Sequence, residues 1–217
     1  MIFFKKNLIV LTTLIIFVTF FNFAKANFLK IIVKINDQII TNYDLENEIK
    51  TQIFLRGKEL NQVNVNQMKN LSMQNLINRK IKKIEIDRLK VSSYNKKDLQ
   101  RYLDNTAKNL QIRKSDIKEI MKNYGIDYNK FIDSAETDLK WNSLIFNIYK
   151  NQLTINPIEI ENEMEEQVKS LNKDDKFRVN IENIKNKIIS KKKNEKLQLY
   201  SNSHFSDLKN VALIEFK

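Results

Sequence analysis

Residues 30–35 alternate weakly between apolar and polar positions and are rich in β-branched side chains, Asn36 and Asp37 offer a turn, and Gln38, Ile39 and Ile40 resume the extended pattern. Two short runs about a two-residue turn predict a β-hairpin. Thr41 stands three residues before Asp44, which places a capping oxygen at the start of a helix and an acid near its positive end. That helix carries Leu45, Ile49 and Ile53 on one face and is predicted to stop by Gly57. From about Val65 the spacing of Met68, Met73, Leu76, Ile77, Ile81 and Ile84 at threes and fours predicts a long amphipathic helix.

Asn95 before Asp98 caps the next predicted helix, which turns Leu99, Tyr102, Leu103 and Leu110 inward, and Ser115 is expected to cap a short one ending at Gly125. A second long helix is predicted from Tyr128 to Leu153, with Phe131, Ala135, Leu139, Ile145 and Ile148 toward a core and Trp141 at its edge. The only proline, Pro157, follows Asn156, the arrangement of a cap before the first helical position, and opens a helix to about Leu171. The polar stretch 172–176 reads as a linker. A basic helix over about 182–200, a shorter one over 203–209 and a strand over 211–216 complete the chain. Strands are predicted only near the two ends, and neither end is stable as an isolated pair in water, so they are expected to join. The fold class is therefore mostly α, with a small β element formed by the N-terminal hairpin and the C-terminal strand.

The extreme N-terminus changes the picture of where this happens. Lys5 and Lys6 precede an apolar run from Leu8 to Phe23, and Ala24 and Ala26 stand three and one residues before a plausible cut. This is the pattern of a secretory signal peptide. The run is broken by Thr12, Thr13, Thr19 and Asn22, and it falls short of the roughly 20 apolar residues of a membrane-spanning helix. Residues 1–26 are thus expected to be a signal, with an uncleaved inner-membrane anchor as the alternative. The chain has no cysteine, so neither disulfides nor thiol chemistry is available to it. Its net charge is +12, of which Lys5, Lys6 and Lys25 would leave with the signal, giving +9. Only six of its 38 cationic residues are arginine, the side chain whose fork suits phosphate and guanine, and the lysines are scattered, so nucleic acid is not an expected partner. Weak attraction to an anionic membrane surface is compatible with the charge.

The segment Ile32-Val33-Lys34-Ile35-Asn36-Asp37-Gln38-Ile39-Ile40-Thr41-Asn42-Tyr43-Asp44-Leu45 resembles the opening of the N-terminal domain of the SurA family of periplasmic chaperones. Tyr124-Gly125-Ile126-Asp127-Tyr128-Asn129-Lys130-Phe131, followed by Leu139-Lys140-Trp141-Asn142-Ser143-Leu144-Ile145, is similar to that family's turn and following long helix. Pro157 and the stretch from Glu159 to Glu163 resemble the helix that leads toward the family's parvulin domain, and Leu199-Tyr200 through Ile214 looks like its C-terminal helix and closing strand. The resemblance implies residues 27–171 as a helical domain, 172–181 as a linker or a remnant of a parvulin strand, and 182–217 as the helix and strand that return to complete that domain. It implies ATP-independent holding of unfolded outer-membrane β-barrel proteins in transit through the periplasm. The chain departs from the family in lacking a parvulin domain: its only glycines are Gly57 and Gly125, so the glycine cluster of that domain has no counterpart, and His204 is its only histidine. Prolyl isomerisation, or an envelope protein serving a single partner, are the competing expectations.

No constellation of catalytic residues stands out. His204 is expected in a polar turn between helices as an exposed imidazole, and Glu161, Glu163, Glu165 and Glu166 read as a solvated helix face. No glycine-rich phosphate loop and no metal-ligand spacing occur, so no cofactor is expected. For client binding the candidates are Met68, Met73, Met121 and Trp141, because unbranched thioethers adapt to many shapes and aromatic rings offer large apolar area.

Overall fold

A computed structural model describes residues 28–169 and 180–217. The signal-peptide residues and most of the expected linker, 172–179, lie outside the described residues. Ile31–Lys217 forms one compact unit.

Strand β1 (Ile31–Ile35) and strand β2 (Gln38–Thr41) form the expected hairpin, with Ile35 opposite Gln38 across the Asn36–Asp37 turn. Asn36 takes a left-handed φ of 50°, which asparagine tolerates better than most residues. Strand β3 (Ile214–Phe216) lies antiparallel on the other side of β1, giving the order β2-β1-β3. The two ends of the unit are locked at the turn: the Asn36 amide donates to the Leu213 carbonyl at 3.0 Å, and the Leu213 amide donates to Asn36 Oδ1 at 3.0 Å. Val33, Ile35 and Ile40 have no exposed surface.

Helix α1 (Asn42–Leu55) starts with a reciprocal capping box, Thr41 Oγ1 accepting from the Asp44 amide and Asp44 accepting from the Thr41 amide. It ends with the left-handed Gly57, whose amide donates to Phe54 while the Lys58 amide donates to Ile53, the pairing that satisfies the last carbonyls of a helix. Helix α2 (Gln62–Arg88) is capped by Asn61 and runs back along α1. Helix α3 (Lys96–Leu110) has the expected Asn95 cap, and α4 (Ile117–Asn123) precedes Gly125 at φ +66°. The capping role expected of Ser115 is not seen, because the chain enters α4 through a 3-10 turn at Lys114–Asp116 and the Ser115 hydroxyl donates to Asp116. Helix α5 (Tyr128–Tyr149) is capped by Asp127, and α6 (Pro157–Lys169) starts at the proline with Asn156 Oδ1 accepting from the Ile158 amide.

The last helix differs from expectation. The segments expected as two helices are one, α7 (Ile181–Val211), which continues through Ser201, Asn202 and Ser203. Val211 is its last residue, so the strand is shorter than the expected 211–216. In its N-terminal half α7 packs on α6, where Ile188 and Ile160 are both buried and Lys191 and Lys192 lie on Glu163 at 2.9 and 3.2 Å. In its C-terminal half it packs on α5 and α2.

Three apolar clusters result. One joins Phe54, Leu103, Ala107, Ile117, Met121, Ile126 and Phe131. Another places Val33, Ile35 and Ile40 of the sheet on Leu76, Ile77 and Ile81 of α2. The third surrounds Trp141 with Ile86, Leu144 and Ile145. Phe205 and Leu208 of α7 pack against both of the last two, so the C-terminal helix ties the sheet to the long helices. Ile148, expected inward, is 40% exposed, because the buried face of α5 here is drawn by Trp141, Leu144 and Ile145.

The Asn36 clamp generates a test. Asn36→Gly keeps the left-handed turn and loses only the hydrogen bond to Leu213, a loss of about 1 kcal/mol. Asn36→Ala adds the left-handed penalty of about 1–2 kcal/mol, for a total of about 2–3 kcal/mol. Urea unfolding measures both, and equal losses for the two variants would contradict the assigned turn.

Candidate functional site

α1 separates two concave surfaces of opposite character. The first is an open apolar groove of about 460 Å³ lined by Ile32 of β1, Leu45 and Ile49 of α1, Leu60 of the connecting loop and Val65 of α2. Its rim is polar, with Asn42, Glu46, Lys50, Asn61 and Gln62. The capping box fixes the first turn of α1, which sets Leu45 and Ile49 four residues apart on one face. The glycine turn at Gly57 and the Asn61 cap then bring Leu60 and Val65 alongside them. Leu60 is 43% exposed, so the groove presents apolar surface to solvent.

On another face of α1 lies a smaller cleft of about 80 Å³ between α1, α2 and α5. It is built from ion pairs: Arg79 on Glu48 at 2.9 Å, Lys130 on Asp44 at 2.6 Å and Lys83 on Asp133 at 3.1 Å. Burial pushes the Asp44 carboxyl up, but the Lys130 ammonium and the Thr41 hydrogen bonds outweigh it and hold the group below its ordinary range.

A second polar feature lies within the packing of α2, α5 and α7. Glu85 is almost fully buried and accepts two hydrogen bonds of 2.6 Å from the Arg88 guanidinium. His204 Nε2 lies 3.2 Å from Glu85 Oε1, and its Nδ1 lies 3.1 Å from the Tyr149 hydroxyl. Trp141 meets the His204 ring edge to face at 5.6 Å and donates from its indole nitrogen to Ser201 Oγ at 2.8 Å. The expectation of an exposed histidine in a turn is therefore corrected: His204 lies inside a helix, with a side chain only 18% exposed. A neutral imidazole satisfies both contacts by donating to Glu85 and accepting from Tyr149. This arrangement joins α2, α5 and α7 through polar contacts.

The four residues expected to meet clients are dispersed. Met121 has no exposed surface and belongs to the first apolar cluster. Trp141, expected at an edge, is 2% exposed, because α7 covers it. Met73 is half-buried against the sheet cluster. Met68 is also half-buried, three residues beyond Val65 on α2, but it does not line the groove. The groove residues escaped notice because Leu45 and Ile49 share the period of an ordinary core face, and nothing local marks Leu60. The walls between α1, α2 and α5 are mostly charged and polar. Among the described residues no group of three or more His, Cys, Asp or Glu could hold a metal ion, and no helix is long and apolar enough to cross a membrane.

No family model matches the chain, and no curated protein matches it. The likeness to SurA accordingly rests on the motifs themselves.

The buried carboxylate has a measurable consequence. Arg88, opposed by burial and helped by His204, holds Glu85 below its ordinary range. A carboxyl whose pKa is lower folded than unfolded contributes stability above its unfolded pKa and loses it as pH falls through the folded one. Glu85→Gln is expected to cost about 1–3 kcal/mol at neutral pH, with a deficit that shrinks as pH falls below the ordinary glutamate range. Denaturation midpoints across that range would contradict the assignment if the deficit stayed constant.

Proposed function

We propose that this protein is an ATP-independent chaperone of the bacterial envelope that holds unfolded outer-membrane β-barrel proteins in the periplasm. The observation that carries the reading is the return of the C-terminal segment: α7 and β3 come back to β1, the closure that the SurA resemblance implies. The signal-like residues 1–26 support export, and the quoted motifs run in the family's order along most of the chain.

The apolar groove supplies the means. Burying one Val, Leu, Ile, Phe or Met side chain is worth about 1.5–3 kcal/mol, less than the roughly 4 kcal/mol of a millimolar complex. Binding of single client side chains at Ile32, Leu45, Ile49, Leu60 and Val65 is thus weak and reversible, which suits a protein that must release its client without nucleotide. Retention comes from several such contacts on one long unfolded chain, each raising the local concentration for the next. Aggregation falls because the unfolded state is withdrawn from solution by mass action.

Light scattering of an unfolded barrel protein diluted from urea, beside an unfolded soluble protein, tests the proposal. The purified chain is expected to suppress aggregation of the barrel protein more strongly. Leu60→Asp places a charge in the groove at an exposed position and is expected to weaken suppression at an unchanged melting temperature. Indifference to both clients contradicts the reading. Acceleration of prolyl isomerisation in a test peptide would favour an enzyme instead, and co-purification of one protein alone would favour a single-partner binder.

A further inference from the structure

We propose that the charged cleft between α1, α2 and α5 is a binding site for a single carboxylate, with Lys80 as its anchoring cation. The inference is independent of the chaperone reading.

Four cations, Arg79, Lys80, Lys83 and Lys130, and three anions, Asp44, Glu48 and Asp133, line the cleft. Each anion is taken by its own cation, Glu48 by Arg79, Asp44 by Lys130 and Asp133 by Lys83. Lys80 is left over. Among the described residues its ammonium has no hydrogen bond and no ion pair, although the residue is only partly exposed. Burial lowers its pKa, and the charges of Lys83 and Lys130 lower it further against the pull of Asp44 and Asp133. Surface lysines ordinarily extend into water. This one stands beside a concavity whose remaining charge is positive by one unit.

The lining also narrows the chemistry of the occupant. Thr51 and Ser134 donate their hydroxyl hydrogens to the carbonyls of Asn47 and Phe131, so they do not compete with Lys80 as donors. Leu76 and Phe131 give the cleft an apolar wall. One uncompensated positive charge beside an apolar wall suits an organic monocarboxylate and leaves a phosphate dianion half uncompensated. The cleft, about 80 Å³ and open to solvent, takes the carboxylate head and leaves the rest of the molecule at its mouth. Charge-assisted bonds of this kind are worth more than neutral ones, and more still where water is partly excluded.

The test is a two-dimensional amide NMR titration of the full chain with butyrate and with butyramide, its uncharged analogue, at an ionic strength held constant with sodium chloride. Butyrate is expected to give saturable shifts at the amides of Asn47, Thr51, Lys80 and Ser134, and butyramide none. Lys80→Met is expected to weaken butyrate by about tenfold or more without lowering the melting temperature, because no partner is lost, whereas Lys80→Arg retains binding. Lys185→Met, at an exposed position on α7, serves as the control and binds like the parent chain. Non-saturable shifts, equal response to butyramide, or unchanged butyrate affinity in Lys80→Met each overturn the proposal. If Lys80→Met does not fold, the butyrate and butyramide comparison on the parent chain still decides. A carboxylate arrives on a free organic acid or at the end of a peptide: an N-acetylated tripeptide with a free C-terminus binding as butyrate does, while its amidated form does not, assigns the peptide source. Binding of butyrate alone assigns the free acid.

Discussion

The fold depends on the docking of one helix. The last three turns of α7 place Tyr200, His204, Phe205 and Leu208 on α2 and α5, and without them Trp141 and Glu85 would lose their cover. Tyr149 stacks on Tyr200 at 4.6 Å between ring centres, and Trp141 meets Phe205 edge to face at 6.2 Å. Offset and edge contacts of this kind add about 0.5–1.5 kcal/mol each beyond the area they bury. Polar groups bridge the same seam, and each is satisfied: the Trp141 indole by Ser201, and Glu85 by Arg88 and His204. Unpaired, any of these groups would cost about 1–3 kcal/mol where it is buried. The seam therefore specifies one angle and register for α7, and that register delivers β3 to the open edge of β1.

The sheet in turn explains why the ends must meet. A two-stranded hairpin is marginal in water, and β3 adds a third strand while Ile214 covers the sheet cluster. The hairpin leads directly into the Thr41 capping box, so the position of β1 and β2 determines where α1 begins. Both concave surfaces depend on α1, which offers Leu45 and Ile49 to the apolar groove and Asp44 and Glu48 to the charged cleft. The docking of α7 is in this way connected, through the sheet, to the geometry of surfaces on the first helix.

Much of this was legible in the sequence because local chemistry and tertiary structure agree there. Thr41 with Asp44, Asn95, Asn156 before Pro157, and the glycines at 57 and 125 act through backbone geometry within a few residues, and each has its expected place. The pairing of the two ends followed from the weakness of a lone hairpin. Where expectation failed, distant residues decide. Ser201, Asn202, Ser203 and His204 read as a turn by composition, yet Trp141, Tyr149 and Glu85 supply partners that keep the helix intact through them. Trp141 is buried for the same reason. The charged cleft could not be read along the chain, since Arg79, Lys80, Lys130 and Asp133 each look like a solvated helix face, and Asp44 like a helix-start acid, until three helices bring them together.

The returning helix, the sheet and the long helices act as one cooperative unit on which the geometry of the apolar groove depends. Native-state hydrogen exchange tests it most directly. Amides of Val33 and Ile35, of the α5 turn holding Trp141 and of residues 200–208 are predicted to open together, with the free energy of global unfolding. Opening of residues 200–216 at a distinctly lower free energy, with β1 and α5 still protected, would contradict it.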